Sequence, residues 1–328
     1  MAQAQTKPVT APAPVRSRIT LASVTKAVQR RPVRLLVHGQ PGVGKTTFAA
    51  DAPSPVFICP EDGIPESTGE VPRFPAPEDG WRWPDVQDAV TALTNEAHSY
   101  KTLVIDTLDW LEPLLWSWLC EQKSVSSIED IGGGYGKGYG VALDLWRLLL
   151  SGIERMSKAK GMNVIMLAHS EIRPFKDPQS EGYDRYELKI HKLPAGLFKE
   201  WSDAVLFAQH EAIASTDKKT KRIRGVSTGA RIMHTVWNAA FDAKNRFGLP
   251  EEMPLSYPEL QAAIDAKAPA SAVDLAAEIK RKAAEVGGEV ETKALAAIDR
   301  ADGDALKLSQ LNDWVNGKLA LSASQKGT

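Results

Sequence analysis

A single glycine-rich stretch restricts the fold of this chain more than any other part of its sequence. It follows the pattern Gly-x-x-x-x-Gly-Lys-Thr and consists of Gly39, Gln40, Pro41, Gly42, Val43, Gly44, Lys45 and Thr46, with Thr47 directly after it. Glycines allow successive backbone N–H groups to turn inward around phosphate oxygens. The lysine ammonium then reaches the outer phosphates, and the threonine hydroxyl binds Mg²⁺. The stretch therefore predicts a loop that binds ATP and Mg²⁺.

The segments on both sides of this loop support the prediction. The apolar run from Val33 to His38 predicts a strand, and the residues from Thr46 to Asp51 predict the start of a helix. A phosphate-binding loop of this pattern lies between a strand and a helix. The alternative, a glycine turn that occurs by chance, does not explain this context.

Strands and helices are predicted to alternate along most of the chain. After the loop, the pattern predicts strands at 55–59, 102–105 and 163–168, and helices at 83–99, 108–122 and 141–158. Strand-like segments follow at 185–190, 203–212, 221–226 and 231–236. This order predicts an α/β fold with a mostly parallel sheet and an antiparallel β edge.

Composition divides the chain into four parts. The first residues are rich in Ala, Pro, Thr and Gln and carry basic side chains without acids, which is typical of a disordered tail. Glycines at 287–288 and 303 break the last part into two or three helices. The predicted parts are a basic tail at 1–18, an ATPase core at 19–265, a linker at 266–272 and a small C-terminal helical region at 273–328.

Composition also excludes several classes of protein. No apolar run approaches the roughly 20 residues that cross a bilayer, and the N-terminus lacks the apolar core of a secretory signal. The 2 cysteines, Cys59 and Cys120, are too few for a disulfide scaffold or a structural zinc site. We therefore expect reduced thiols, no membrane contact and a cytoplasmic location, in the host cell if the protein is phage-encoded.

Two acidic residues are candidates for chemistry at the loop. Asp106 follows the apolar strand at 102–105, where an acid holds Mg²⁺; the alternative is a cap of the next helix. The next residue is Thr107 and not a second acid, so a general base must come from elsewhere. Glu61 follows the second strand, and adjacent parallel strands bring their carboxyl ends to one crevice. The alternative for Glu61 is a turn cap.

From Arg34 to about Pro254, the chain resembles phage-encoded nucleotide-binding proteins with a RecA core, some of which are single-strand annealing recombinases. The resemblance rests on the glycine loop, the Tyr-Gly-Lys-Gly-Tyr segment at 135–139, the Leu-Ala-His strand end at 167–169 and the Ala-Lys-Asn-Arg-Phe-Gly-Leu-Pro stretch at 243–250. It does not cover the basic tail or the C-terminal helices. The sequence has no large N-terminal oligomerisation domain of the RecA kind, which argues against RecA-style filaments and full strand exchange.

The resemblance implies roles for several residues. Glu61 matches the general base on the neighbouring strand end, and His169 matches a polar sensor of the γ-phosphate. Lys244 and Arg246 match a basic pair that reaches into the ATP of a neighbouring subunit, where cations stabilise charge on the transferring phosphoryl group. The alternative for this pair is an exposed basic turn.

In the RecA architecture, two loops at the central axis bind single-stranded DNA. The matching segments are 132–140, with Tyr135, Lys137 and Tyr139, and 171–185. Stacking faces together with positive charge hold a strand without sequence preference. The alternative is a connector whose tyrosines pack on the core. We expect the tryptophans at 110, 116 and 118 to be core residues because they recur at helical spacing.

These inferences predict an ATPase that acts on single-stranded DNA in recombination or strand annealing, with hydrolysis stimulated by DNA. A single-strand-binding protein as partner and a homo-oligomer both remain open. One alternative is a DNA-stimulated motor or a helicase-loader-like ATPase on the same core. Another is a P-loop kinase of a small molecule, although no lid sequence rich in arginines is evident.

Overall fold

The computed structural model describes residues 31–61, 63, 68–176, 181–216, 223–267 and 272–326. The chain divides into two compact units, with Arg31–Ala268 in one and the C-terminal helices from Pro269 in the other. The predicted tail at 1–18 lies outside the described residues. So does most of the predicted linker, whose first two residues belong to a helix that ends at Lys267.

In the described residues, the larger unit forms a nine-stranded sheet. Its strands are β1 (Arg34–Gly39), β2 (Pro55–Ile58), β3 (Thr102–Ile105), β4 (Asn163–Phe175), β5 (Tyr183–Leu188), β6 (Ala204–Thr216), β7 (Ile223–His234), β8 (Lys244–Asn245) and β9 (Glu252–Pro254).

Five of these strands are parallel neighbours, in the order β2-β3-β4-β1-β6. The strands β7 and β9 continue the sheet in antiparallel fashion, while β5 pairs with β4 and β8 pairs with β6. The predicted mostly parallel sheet with an antiparallel β edge is therefore confirmed. β4 lies between β1 and β3, so the strand of the glycine loop and the strand of Asp106 are separated by one neighbour.

Helices cover both faces of the sheet, which explains why its parallel strands are apolar throughout. Successive strand residues alternate between two cores: Leu36 belongs to one, and Leu35 and Val37 belong to the other. The first core is closed by α2 (Trp83–Asn95), α3 (Leu108–Lys123), α4 (Lys137–Lys160) and α5 (Lys192–Trp201), and the second by α1 (Lys45–Ala50) and α6 (Tyr257–Lys267).

Several elements differ from the sequence-based expectation. The helices α5 and α6 were not predicted, and α4 begins at Lys137, inside the glycine-rich segment. β4 does not end at His169 but continues to Phe175. Its first half pairs with β1, and its second half pairs with β5 instead.

The prediction that Trp110 is a core residue is wrong, since its side chain is 50% exposed. Trp116 and Trp118 are partly buried against the core.

The C-terminal unit contains three helices among its described residues, α7 (Ala272–Val286), α8 (Gly288–Ala301) and α9 (Ala305–Lys326). The backbone turns between them at Gly287 and Gly303, both with positive φ. These are the positions where the sequence predicted breaks. The core of this unit consists of small and aliphatic side chains: Leu275, Ile279, Ala283, Ala294, Ala301, Leu308 and Val315. Across the described part of both units, none of the helices combines the length and apolarity needed to span a bilayer.

The first turn of α4 makes a close backbone contact that only glycine allows. A Cβ atom at Gly138 would lie 1.9 Å from the carbonyl oxygen of Ile128, while one at Gly140 would meet no atom within 4 Å. We expect Gly138→Ala to destabilise the protein by about 1–3 kcal/mol, because a backbone carbonyl cannot move aside as a side chain can. We expect Gly140→Ala to stabilise it by about 0.5–1 kcal/mol through the lower conformational entropy of the unfolded chain.

Urea denaturation of the two variants beside the wild type measures both changes. Equal midpoints for the two variants would contradict the close packing of this segment.

Candidate nucleotide-binding site

The glycine loop connects the end of β1 to the start of α1. Gly42 and Gly44 have φ angles of 77° and 102°, in the region that favours glycine. β6 runs directly beside the loop, since a Cβ atom at Gly39 would lie 2.2 Å from the carbonyl oxygen of Ala208. The backbone therefore has the turns that a phosphate cradle needs, at the carboxyl edge of the parallel strands.

Lys45 is held inside this loop. Its side chain is buried, and Nζ donates hydrogen bonds to the carbonyl oxygens of Gly39 at 3.1 Å and Gln40 at 3.0 Å. Burial lowers the pKa of Lys45 to about 8, against the opposing effect of nearby carboxylates, first Asp106. The ammonium is therefore still protonated at neutral pH and available to an anion in the loop.

Asp106 and Thr46 form a pair that fits a Mg²⁺ ion. The Thr46 hydroxyl donates to the Asp106 carboxylate at 2.8 Å, and Asp106 is 5% exposed. Burial raises the pKa of Asp106, although this hydrogen bond and the charge of Lys45 oppose the shift. Buried carboxylates require a partner or a metal ion, and hard oxygen donors are the ligands that Mg²⁺ prefers.

Two further observations bear on the Asp106 side chain. No side chain caps the start of α3, and the residue at its cap position is Thr107. The alternative role of Asp106 as a helix cap therefore does not match the geometry. Within the described ranges, no three His, Cys, Asp or Glu side chains form a metal cluster. A Mg²⁺ ion usually combines one or two protein oxygens with water and phosphate oxygens.

Glu61 lies in the same cavity as the loop. The parallel pairing of Ile58 with Ile105 brings the end of β2 beside the end of β3. Cys59 donates a hydrogen bond to the Glu61 carbonyl at 2.7 Å, and burial raises the pKa of this thiol to about 12. The cavity has a volume of about 330 Å³, and its lining includes Pro41, Gly42, Gly44, Lys45, Thr46, Thr47, Cys59, Glu61, Gly63, Asp106, Thr107, His169 and Arg231.

His169 reaches this cavity from the point where β4 leaves β1. Its pairing with Gly39 is the last parallel pair between those strands. Asp109, in the first turn of α3, accepts hydrogen bonds from the backbone N of His169 at 2.9 Å and from Nδ1 at 2.8 Å. Burial alone would raise the pKa of Asp109, but these bonds hold it below its ordinary value. The carboxylate can only accept, so the Nδ1 proton stays on His169.

Lys244 and Arg246 lie at the other end of the strands, away from the loop of their own chain. β8 pairs with the first residues of β6, whereas Gly39 pairs with Ala208 further along. Lys244 Nζ donates to the carbonyl oxygens of Lys199, Glu200 and Ser202 at 2.8, 3.2 and 2.9 Å, where α5 ends. Arg246 contacts the buried Asp203 at 3.3 Å and is 49% exposed.

The position of Lys244 and Arg246 bears on their predicted contact with the ATP of a neighbouring subunit. Within one chain neither side chain is part of the cavity that the loop forms. A contact with nucleotide would require a neighbouring copy, and Arg246 would have to leave Asp203. Asp203 also binds Arg34 at 3.0 Å and Arg31 at 2.5 Å.

The three residues predicted to contact DNA have different environments. Tyr135 is 100% exposed with a φ of 57°. Lys137 Nζ donates to the Gly132 carbonyl at 3.1 Å. Tyr139 stacks on His191 with ring centroids 4.2 Å apart, and its hydroxyl donates to Glu129 at 3.2 Å. The alternative of a tyrosine packed on the protein therefore describes Tyr139 and not Tyr135.

Sequence reasoning missed Arg231, which also lines the cavity. Its Nη1 atom lies 2.5 Å from the position of a Cβ atom at Gly44. Arg231 is far from the loop along the chain and belongs to β7, whose register depends on a bulge. No local sequence pattern indicates this contact.

Comparison with known proteins agrees with this geometry. A family described as an AAA domain matches residues 31–247, well over half of the chain. The SPbeta prophage-derived uncharacterized protein YorG of Bacillus subtilis (strain 168) is 25% identical over 142 residues, which cover 42% of this chain and 40% of that protein. The chain thus spans less than half the length of this relative.

Asp106 is followed by Thr107 and not by a second acid, and the matching family carries the AAA description. The resemblance implied a P-loop nucleotide-binding core of phage origin. The AAA domain match agrees with the core, and the prophage-derived relative agrees with a phage context. On the residues matched and on the geometry of the loop, the chain belongs to the AAA domain family of P-loop nucleotide-binding proteins.

Proposed function

We propose that this protein binds ATP with Mg²⁺, hydrolyses it, and couples hydrolysis to single-stranded DNA in phage recombination or strand annealing. The observation that supports hydrolysis is the cavity in which a lysine, a hydroxyl–carboxylate pair and a separate glutamate face one another. Phosphoryl transfer requires positioning and charge stabilisation more than covalent chemistry. These residue types supply both.

Each side chain has a distinct role in this proposal. Lys45 binds the outer phosphates and moves from its two carbonyl partners to do so. Thr46 and Asp106 would hold Mg²⁺, which would supply positive charge against the phosphates. Glu61 accepts the proton of the attacking water on its carboxylate. His169, fixed through Nδ1 by Asp109, presents its other ring nitrogen to the cavity as a hydrogen-bonding group.

The DNA part of the proposal is supported by a separate set of residues. Tyr135 offers an unobstructed aromatic face, and Lys137 lies two residues later at the start of α4. The β4–β5 hairpin adds an exposed Ile172. Aromatic faces beside cations are how proteins hold single strands without sequence preference. The prophage-derived relative supports a phage context.

A hydrolysis assay separates this proposal from its rivals. ATP turnover is measured with and without a single-stranded oligonucleotide and with no small acceptor present. The proposal expects turnover that rises with DNA. Turnover only with a small acceptor would indicate a kinase, and displacement of a paired strand would indicate a motor.

Lys45→Ala should abolish ATP hydrolysis, because it removes the cation that the loop holds for the outer phosphates. Release of inorganic phosphate by the purified variant measures this. Circular dichroism is the control for folding, since Lys45 is buried. Turnover at the wild-type rate would refute the ATPase proposal.

Glu61→Gln should keep nucleotide affinity and slow hydrolysis by about 10²- to 10⁴-fold, the usual contribution of a general base. The amide preserves the shape of the side chain but does not accept the proton. Nucleotide affinity and kcat are measured on the same preparation. The assignment is wrong if Glu61→Gln turns over normally while the matched carboxylate variant Asp109→Asn does not.

Tyr135→Ala should weaken binding of a single-stranded oligonucleotide by about tenfold, because loss of one stacked base costs about 1–3 kcal/mol. Basal ATP hydrolysis should not change, since Tyr135 is not among the residues that line the nucleotide cavity. Fluorescence anisotropy measures the affinity, with Leu148→Ala as a control for loss of an exposed apolar side chain from α4. Unchanged affinity would show that the segment at 132–140 is a connector.

A further inference from the structure

Arg231 lies at the level of the glycine loop because β6 and β7 extend beyond the end of β1. The last pair between β1 and β6 joins Gly39 to Ala208, and β6 continues past it. β7 returns beside β6 in antiparallel fashion, with Arg231 opposite His210. Arg231 is therefore two residues beyond the end of β1, next to the turn that holds the phosphates.

A bulge in this ribbon precedes Arg231. The register of β6 and β7 shifts between His210 and Ala212, whose partners are Arg231 and Ser227. Within the bulge, Gly229 has a φ of 82°, and the Thr228 hydroxyl donates to Glu211 at 2.5 Å. Bulges beside active sites redirect a side chain. Here the residue after the bulge has its guanidinium against Gly44, with Nη1 at 2.5 Å from the Cβ position.

Arg231 differs from most described arginines of the same unit in its partners. Six others bind carboxylates: Arg31, Arg34, Arg147, Arg173, Arg185 and Arg246. None of the arginine–carboxylate pairs within the described part of the chain includes Arg231. Its guanidinium is thus free to bind an anion that enters the cavity.

The charge of the cavity leads to the same conclusion. Among the described residues that line it, the acids are Glu61 and Asp106, and the cations are Lys45 and Arg231. Before Mg²⁺ binds, Lys45 alone would have to offset these two carboxylates if Arg231 were absent, and a cavity with a net negative charge is unfavourable for a triphosphate. A guanidinium matches phosphate geometry with two parallel hydrogen bonds, which a lysine cannot make.

We infer that Arg231 binds the terminal phosphates of the nucleotide held by the loop of its own chain. This inference rests on the proposed function. It makes Arg231 a phosphate-contacting residue that acts in cis, supplied by the β6–β7 ribbon. It also distinguishes Arg231 from Lys244 and Arg246, which lie at the opposite end of the strands and would need a neighbouring copy.

Affinity measurements on Arg231→Gln test the contact. We expect ATP and inorganic tripolyphosphate to bind about ten- to a hundredfold more weakly than to the wild type, as for loss of a charge-assisted hydrogen bond. Arg231→Lys should recover part of the loss. The matched control is Arg147→Gln, which removes an exposed arginine on α4. Weaker ATP binding with unchanged tripolyphosphate binding would overturn the inference in favour of a contact with the base.

A mixing experiment tests action in cis. Arg231→Gln mixed with excess Lys45→Ala should stay at the summed activity of the two variants, because neither chain has a complete site. Arg246→Ala mixed in the same way should recover activity if its cation acts on a neighbour. Recovery in the Arg231→Gln mixture would overturn the cis assignment.

Failure of this inference differs from failure of the proposed function. If Lys45→Ala is inactive while Arg231→Gln keeps wild-type turnover and tripolyphosphate affinity, Arg231 alone is misassigned. If Lys45→Ala keeps wild-type turnover, the ATPase proposal itself fails.

Discussion

The parallel pairing of β1 with β4 on one side and β6 on the other holds the nucleotide site together. Backbone hydrogen bonds place Gly39 beside His169 and Ala208, so the loop starts from a fixed edge. β3 and β2 continue the same edge and add Asp106 and Glu61. Each group comes from a different strand, and no two of these strands are joined by a short loop. The site therefore exists only when the sheet is complete.

A single helix, α3, fixes the base of the β4–β5 hairpin to this edge. Two acids one turn apart accept backbone N–H groups at the two ends of the hairpin. Asp109 binds that of His169 in β4, and Glu112 binds that of His191, the residue before α5, with both oxygens, at 3.0 and 2.9 Å. Burial raises the pKa of Glu112 to about 7. His191 in turn stacks on Tyr139, so α3 connects the cavity residue His169 with the first turn of α4.

Local patterns in the sequence were sufficient for the groups that lie next to their own strand. The glycine loop, Asp106 and Glu61 each follow an apolar run, and parallel strands place such residues at one edge. Arg231 was not predictable, because its position depends on pairing across the β6–β7 ribbon and on a bulge that shifts the register. α5 was missed for a related reason: its apolar positions, such as Phe198, face a core built from distant helices. Trp110 is a large apolar residue at helical spacing from other apolar residues, but its side chain is half exposed.

The proposed function depends most on the Thr46–Asp106 pair, which we propose to hold Mg²⁺ against the phosphates of ATP. Calorimetric titration of ATP, with Mg²⁺ or with a chelator, into the wild type and Asp106→Ala tests it most directly. Mg²⁺ should strengthen ATP binding to the wild type, and Asp106→Ala should lose most of this gain. Without Mg²⁺ the variant should bind ATP at least as tightly, because a buried negative charge is gone. An equal gain in ATP affinity from Mg²⁺ in both proteins would contradict this role of Asp106.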